Sequence, residues 1–358
     1  MDRVHNFSSG PAKLPQEVLK TAKEELLNYR GIGRSVMEIS HRSPEYTEIN
    51  HQASSRLKQL LNAGDDWNVL FLTGGASSQF MMVPFNFLNR KRTADYIDTG
   101  RWSAKAIKEA KNFGNVHVSF SSKDSGYTSV PKQSELIHSK SPAYLHYTSN
   151  NTVAGTQFST EPVADAPLVC DASSDFLSRP INLDKFGLIY AGAQKNLGPA
   201  GVTVVMLKDS FLENQRSETI PTILNYKTHT DGVFNTPPVF PVYMVNLVLE
   251  WIQQKGGVEY FQAYNDQKAN LLYNEIDRDD FYRGAVNKDS RSKMNVTFRL
   301  YDEDLEPIFI QEAEKRGLVD LKGHRSVGGI RASIYNACDM ESVEALVKFM
   351  QDFRSSKG

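Results

Sequence analysis

Residues 187–201 read Gly187-Leu188-Ile189-Tyr190-Ala191-Gly192-Ala193-Gln194-Lys195-Asn196-Leu197-Gly198-Pro199-Ala200-Gly201, and they decide the fold class. Leu188 to Ala191 are apolar throughout rather than alternating, which suits a strand covered on both faces in a mainly parallel sheet. Lys195 then stands between that strand and a glycine-rich turn, unlike a solvated surface lysine. Burial at such a place lowers a lysine pKa and favours the neutral amine that a Schiff base requires.

Working outward, similar short runs recur: Val69–Leu72, Ala94–Ile97, Val116–Val118, Tyr144–Tyr147, Leu168–Cys170 and Val202–Leu207. Helical patterns alternate with them. One opens at Pro15 with Val18, Leu19, Ala22, Leu26 and Leu27; another carries Tyr46, Ile49, Ala53, Leu57, Leu60 and Leu61 on one face. A helix over Gln79–Leu88 and a long one from Pro241 through Trp251, stopping at Gly256-Gly257, complete an α/β pattern with a mainly parallel, seven-stranded sheet. Beyond it the pattern shifts. Met294–Leu300 alternates like a half-exposed strand, a helix runs from Pro307 to Arg316 before Gly317, and a last helix carries Val343, Leu346, Val347, Met350 and Phe353. The expected organisation is a large domain over 16–258 and a smaller α+β domain made of 1–15 and 259–358.

Composition excludes several classes. Forty-one Lys+Arg against forty-two Asp+Glu leave a net charge of −1, which argues against a basic nucleic-acid surface. Cys170 and Cys338 cannot make a disulfide framework, and Cys170 lies in an apolar run that suits a buried thiol. The most apolar segments, Phe80–Leu88 and Val242–Ile252, are short and broken by Pro84, Asn86, Asn246 and Glu250, so no membrane span is expected. Met1 to Phe7 runs into Ser8-Ser9-Gly10-Pro11 without an apolar stretch, and a cytoplasmic protein is expected. No His-Glu-x-x-His or paired-cysteine spacing occurs, so no metal site is expected. The Gly74-Gly75 loop lacks the Gly-Lys-Ser/Thr ending of a P-loop.

Ligands of open α/β sheets sit at the C-terminal ends of the strands. After Leu72 comes Thr73-Gly74-Gly75-Ala76-Ser77-Ser78, which fits a capped turn as well as a backbone cradle for an anion. After Ile97 comes Asp98-Thr99-Gly100-Arg101-Trp102, an aromatic that could stack on a flat ring or simply pack. After Tyr147 comes the polar Thr148-Ser149-Asn150-Asn151-Thr152, and Asp171 ends the apolar Leu168–Cys170, where an unpartnered carboxylate would be costly. An Asp171–Lys195 ion pair is the structural alternative for those two residues. Taken in order, the five strand ends match what pyridoxal 5′-phosphate (PLP) requires: an anion loop, an aromatic, a hydroxyl donor, an acid for the ring nitrogen and an amine.

With those residues assembled, the chain resembles the phosphoserine aminotransferases, fold-type I PLP enzymes of the class-V aminotransferase group. The resemblance runs almost end to end, from Phe7–Ala12 and Ser40-His41-Arg42-Ser43 through Gly74–Phe80, Thr99–Ser103, Cys170–Ser174 and Ala191–Asn196 to Gly323–Ser326 and Ile330–Ala337. It implies Lys195 as the Schiff-base lysine, Asp171 on the pyridine nitrogen and Trp102 stacked on the ring. It places Thr152 at the ring oxygen, and the cofactor phosphate on Ala76, Ser77 and Gln194. Asn235 and Thr236 would reach the cofactor phosphate of a neighbouring subunit, which implies a homodimer with shared active sites; from sequence alone that stretch reads only as a turn. Arg331 would take the α-carboxylate, and His41, Arg42, His324 and Arg325 the distal anion of glutamate or phosphoserine. Many bacterial relatives carry an arginine where this chain has Ser77, so phosphate recognition would rest more heavily on that quartet.

The rivals differ in what they need. An aminotransferase for an unphosphorylated amino acid, of the serine– or alanine–glyoxylate type, does not require the cationic residues. A non-catalytic PLP-binding protein need not keep Arg331 or His41-Arg42. A cysteine desulfurase needs a reactive cysteine on a mobile loop, a context Cys338 lacks.

Overall fold

The computed structural model describes residues 3–216 and 218–358. An N-terminal arm holds the short strand β1 (His5–Asn6) and leads through Pro15 into α1 (Gln16–Glu25). Helix α2 (Pro44–Leu61) starts with proline at its first position and with the Ser43 hydroxyl accepting from the Tyr46 amide; it ends at Asn62 in the left-handed conformation. All six apolar residues expected on its inner face are buried.

Strands and helices then alternate: β2 (Trp67–Gly74), α3 (Ala76–Phe87), β3 (Thr93–Asp98), α4 (Arg101–Ala110), β4 (Asn115–Ser121) and β5 (Leu145–Thr148). A small hairpin, β6 (Asn150–Asn151) with β7 (Thr156–Gln157), precedes β8 (Leu168–Asp171), β9 (Phe186–Gly192) and β10 (Gly201–Lys208). The seven longer strands form one sheet in the order β2-β10-β9-β8-β5-β3-β4. Only β10 runs antiparallel to its neighbours, because the turn over 193–200 returns the chain directly beside β9. The C-terminal ends of β2, β3, β5, β8 and β9 therefore share one edge.

The chain continues through α5 (Asp209–Leu212), α6 (Tyr226–Thr230), α7 (Val239–Lys255) and α8 (Gly257–Ile276). There follow β11 (Tyr282–Gly284), β12 (Asn295–Leu300), α9 (Glu306–Lys315), β13 (Leu318–Val319), β14 (Ile330–Ser333) and α10 (Met340–Lys357). Strands β11, β12 and β14 form an antiparallel sheet with β12 in the middle, and β1 pairs parallel with β13. Apolar side chains cluster on each face of the large sheet and again in the C-terminal part, where Phe7 of the arm joins Phe298, Phe309 and Phe349. Among the described residues no helix is long and apolar enough to cross a membrane.

Four expectations are corrected. Helix α1 stops at Glu25, so Leu26 and Leu27 fall outside it and Leu27 is 84% exposed. Helix α3 begins at Ala76 rather than Gln79: Gly75, extended, caps it, and the apparent loop residues are its first turn. Helix α7 begins two residues before Pro241, which its first turn tolerates because that N–H has no partner there anyway. Strand β12 is buried rather than half-exposed, because its Asn295 and Thr297 bond across to Asn150 and the Ala154 carbonyl of the other part of the molecule. Helix α8 is an addition to the expected elements. Its Val258 and Phe261 join the large-sheet core, while Ala269, Leu272 and Ile276 join the C-terminal core.

Candidate active site

Lys195 lies just past β9, half-buried. Its Nζ donates to Thr152 Oγ1 (2.6 Å) and Ser174 Oγ (2.7 Å), and those two hydroxyls are themselves 2.7 Å apart. The amine pKa is pushed down to about 8, first by burial and also by the Arg331 charge, with Asp171 and Asp175 pulling the other way. No ion pair within 4.0 Å joins Lys195 to Asp171, so the structural alternative for that couple is not what holds either residue. Approach to Lys195 is close: a Cβ on Gly10, at φ +138°, would stand 3.4 Å from the Lys195 Cγ.

Asp171 closes β8, buried, with its carboxyl pKa raised by desolvation. Oδ1 accepts from the Ser173 amide (3.1 Å) and hydroxyl (2.6 Å), and Oδ2 accepts no hydrogen bond among the described residues. Thr152 lies in the tight connection between β6 and β7. Trp102 is the second residue of α4; its ring centroid lies 5.8 Å from Lys195 Nζ, and its buried indole Nε1 has no partner among the described residues. Ala76 and Ser77 open α3, where the first amides of a helix have no acceptor inside it and attract anions. The Gln194 side chain folds back over Gly192, whose Cβ would lie 2.7 Å from Gln194 Oε1.

Arg331 reaches in from β14. Its Nη2 donates to Ser9 Oγ (2.7 Å) and its Nη1 to the Thr152 carbonyl (3.4 Å), while the buried Nε has no partner among the described residues. Tyr335 donates to the Ser9 carbonyl (2.9 Å) and accepts from Asn295, so the arm, the hairpin and β14 lock together beside Lys195. His324 Nδ1 bonds Ser326 Oγ (2.8 Å) in the turn between β13 and β14. Its imidazole is held below the usual range, first by desolvation and then by the charges of Arg101, Arg331, Arg325 and Lys105. Arg325 is exposed in the same turn.

The remaining residues are placed elsewhere. His41 and Arg42 occupy the turn before α2, with no side-chain hydrogen bond to the Lys195 cluster among the described residues. Asn235 lines a cavity of ≈350 Å³ with Thr73, Ser78 and Phe234, and Thr236 beside it is exposed. Sequence reasoning missed Ser174, which bonds the Lys195 amine, and Ser9, which bonds Arg331. Ser174 stands three residues after Asp171, but a hydroxyl in a turn carries no signal of its own.

The fit to PLP rests on the donor set. Among the described residues a buried carboxylate has a free oxygen and an indole presents an unpartnered N–H, an amine of lowered pKa bonds two hydroxyls, and a helix N-terminus faces the same sheet edge. Together the fold and the site define a PLP-dependent aminotransferase of fold type I. The comparisons narrow this. The family profile "Aminotransferase class-V" matches residues 4–346. A phosphoserine aminotransferase of Niallia circulans is 51% identical over 360 residues, covering 99% of each chain. The solved phosphoserine aminotransferase of Bacillus circulans subsp. alkalophilus superposes with a TM-score of 0.97 at 50% identity, covering all of both chains. The PLP-bound enzyme of Trichomonas vaginalis gives 0.93 at 39% identity, covering 98% of this chain and 100% of its own. This chain belongs to the phosphoserine aminotransferase family of class-V aminotransferases.

Proposed function

We propose that this chain reversibly transfers the amino group of L-glutamate to 3-phosphohydroxypyruvate, giving 3-phospho-L-serine and 2-oxoglutarate, in L-serine biosynthesis. The observation that carries the reading is the Lys195 amine, half-buried, its pKa lowered to about 8, and bonded to Thr152 and Ser174, in a chain with these relatives. When bound, PLP supplies an aldehyde for that amine and a ring that accepts the electrons of a broken Cα–H bond. Lys195 anchors the cofactor and, once displaced by the substrate amine, takes the Cα proton and returns it as general base and acid. Asp171 Oδ2 holds the ring nitrogen protonated, Trp102 covers a ring face, and Thr152 donates to the ring oxygen. The Ala76 and Ser77 amides and Gln194 receive the cofactor phosphate, with Asn235 and Thr236 serving that of a neighbouring subunit.

Arg331, whose Nε lacks a partner among the described residues, takes the α-carboxylate common to both substrates. His41, Arg42, His324 and Arg325 take the distal anion. The chain acts as a cytoplasmic homodimer, a reading supported by the exposed Val233 and Phe234 flanking the Asn235 segment. The domain division 16–258 against 1–15 with 259–358 is supported by a second apolar core that holds Phe7 and residues from Ala269 onward, although Phe261 packs into the first.

The test is a set of half-reactions in which the holoenzyme is mixed with phosphoserine, glutamate or serine and its cofactor absorbance is followed. Phosphoserine and glutamate change the spectrum, and serine at the same concentration leaves it nearly unchanged; an equal response to serine would remove the phosphorylated substrate. Lys195→Ala loses the lysine-linked absorbance and about 10²–10⁴-fold or more of the rate. Normal turnover by that variant overturns the site.

A further inference from the structure

We propose that Arg101 and Lys105 of α4 help select a doubly charged group at the far end of the substrate, favouring phosphate over carboxylate. The inference rests on the reading that this site handles a phosphorylated amino acid. Its first support is position. Arg101 directly precedes Trp102, and the Lys105 ammonium lies 4.6 Å from the centroid of the indole that Lys195 addresses from 5.8 Å. The start of α4 is fixed there. Any Cβ on Gly100 would collide with the Asn151 side chain, and Asn151 donates to Thr99 Oγ1 (2.9 Å), so the helix is docked on the hairpin that carries Thr152.

The second support is missing neutralisation. Among the described residues no carboxylate comes within 4.0 Å of Arg101, Lys105, Arg325 or Arg331. Arg299, which donates to the Val327 carbonyl of the same turn that carries His324, is by contrast met by Glu303 and Glu306 at 3.1 Å each. The third is reach: the charges of Arg101 and Lys105 are both felt at His324, together with those of Arg325 and Arg331.

Charge then decides selectivity. A phosphate monoester carries close to two negative charges near neutral pH, against one on the glutamate γ-carboxylate. Each unneutralised cation within a screening length of about 8 Å favours the phosphate through that extra charge. Lys105 is exposed and Arg101 partly so, which keeps each contribution to roughly three- to fivefold.

The experiment measures kcat/KM for phosphoserine and for glutamate in the wild-type holoenzyme, Arg101→Ala, Lys105→Ala, Lys105→Glu and the Arg101/Lys105 double alanine variant, at low and high salt. Cofactor absorbance is recorded for each. The preference for phosphoserine falls roughly three- to fivefold in each alanine variant and about tenfold in the double one, further in Lys105→Glu, and the differences shrink as salt rises. A double variant that keeps the wild-type preference overturns this inference alone, as does an equal loss for both substrates. A wild-type protein inert toward phosphoserine overturns the functional reading and this inference with it.

Discussion

At the scale of single residues, Lys195 and Asp171 shape each other through burial more than through contact. Desolvation lowers the amine and raises the acid, and each charge partly offsets the other. With a pKa of about 8 against an ordinary 10.5, Lys195 has a far larger neutral share near pH 8 than a free lysine. In protein stripped of PLP, the rate of cofactor capture should therefore rise with pH through a midpoint near 8, read from the returning absorbance. Asp171→Asn removes a charge that supports the ammonium form, so the same midpoint should move below 8. The holoenzyme of that variant should lose on the order of a hundredfold in kcat, because the ring nitrogen would lose the anionic partner proposed for it. A midpoint that stays put would detach Asp171 from the amine. Both residues were legible in the sequence because a charged side chain at the end of an apolar run needs a reason; Ser174, an uncharged hydroxyl in a turn, offered none.

At the scale of elements, the strands were legible because burial on both faces leaves an unbroken apolar run, as in Phe186–Gly192. The start of α3 was not, because Gly-Gly-Ala-Ser-Ser reads as loop, whereas Gly75 only caps a helix whose first turn carries Ala76 and Ser77. Helix α8 was hidden by its own core positions: Asn265, Lys268 and Glu275 are buried at helical spacing among Val258, Phe261, Ala269 and Leu272, so polarity masks the stripe. The glycine after β9 gives a test at this scale. Gly192→Ala puts a methyl against the Gln194 amide and forces that side chain to shift. PLP affinity should drop roughly tenfold, the loss of about one hydrogen bond, with the far-UV circular dichroism unchanged. Unaltered affinity in an equilibrium titration would take Gln194 out of the cofactor site.

At the scale of the whole molecule, α8 joins the two cores, and Lys268 ties its far half to the turn that follows the strand carrying Arg331. Fully buried, its ammonium donates to the carbonyls of Ile334 (2.8 Å), Tyr335 (2.7 Å) and Cys338 (2.9 Å), and Asn336 in the same turn bonds Asn196, the neighbour of Lys195. Lys268→Met strands those carbonyls and should cost about 2 kcal/mol or more in denaturant unfolding. The pH dependence has a definite sign. Burial lowers the Lys268 pKa from 10.5 to about 8, so between those values the unfolded chain binds a proton that the folded chain has released. This group's contribution is present above 10.5 and lost as pH falls through about 8. The stability gap between wild type and Lys268→Met should therefore widen from pH 8 to pH 10; a constant gap would mean that Lys268 does not titrate there.

The sequence by itself determined the α/β class, the strand runs and the chemical identity of the residues at the strand ends, because these follow from local periodicity and from the cost of burying charge. Only the tertiary structure decided which of them meet. Bringing Ser9 of the arm and Arg331 of β14 onto the hairpin at Thr152 depends on contacts more than 170 residues apart, and the docking of α4 on that hairpin depends on the Asn151 bond to Thr99. Such distances in the chain leave no periodic trace in it.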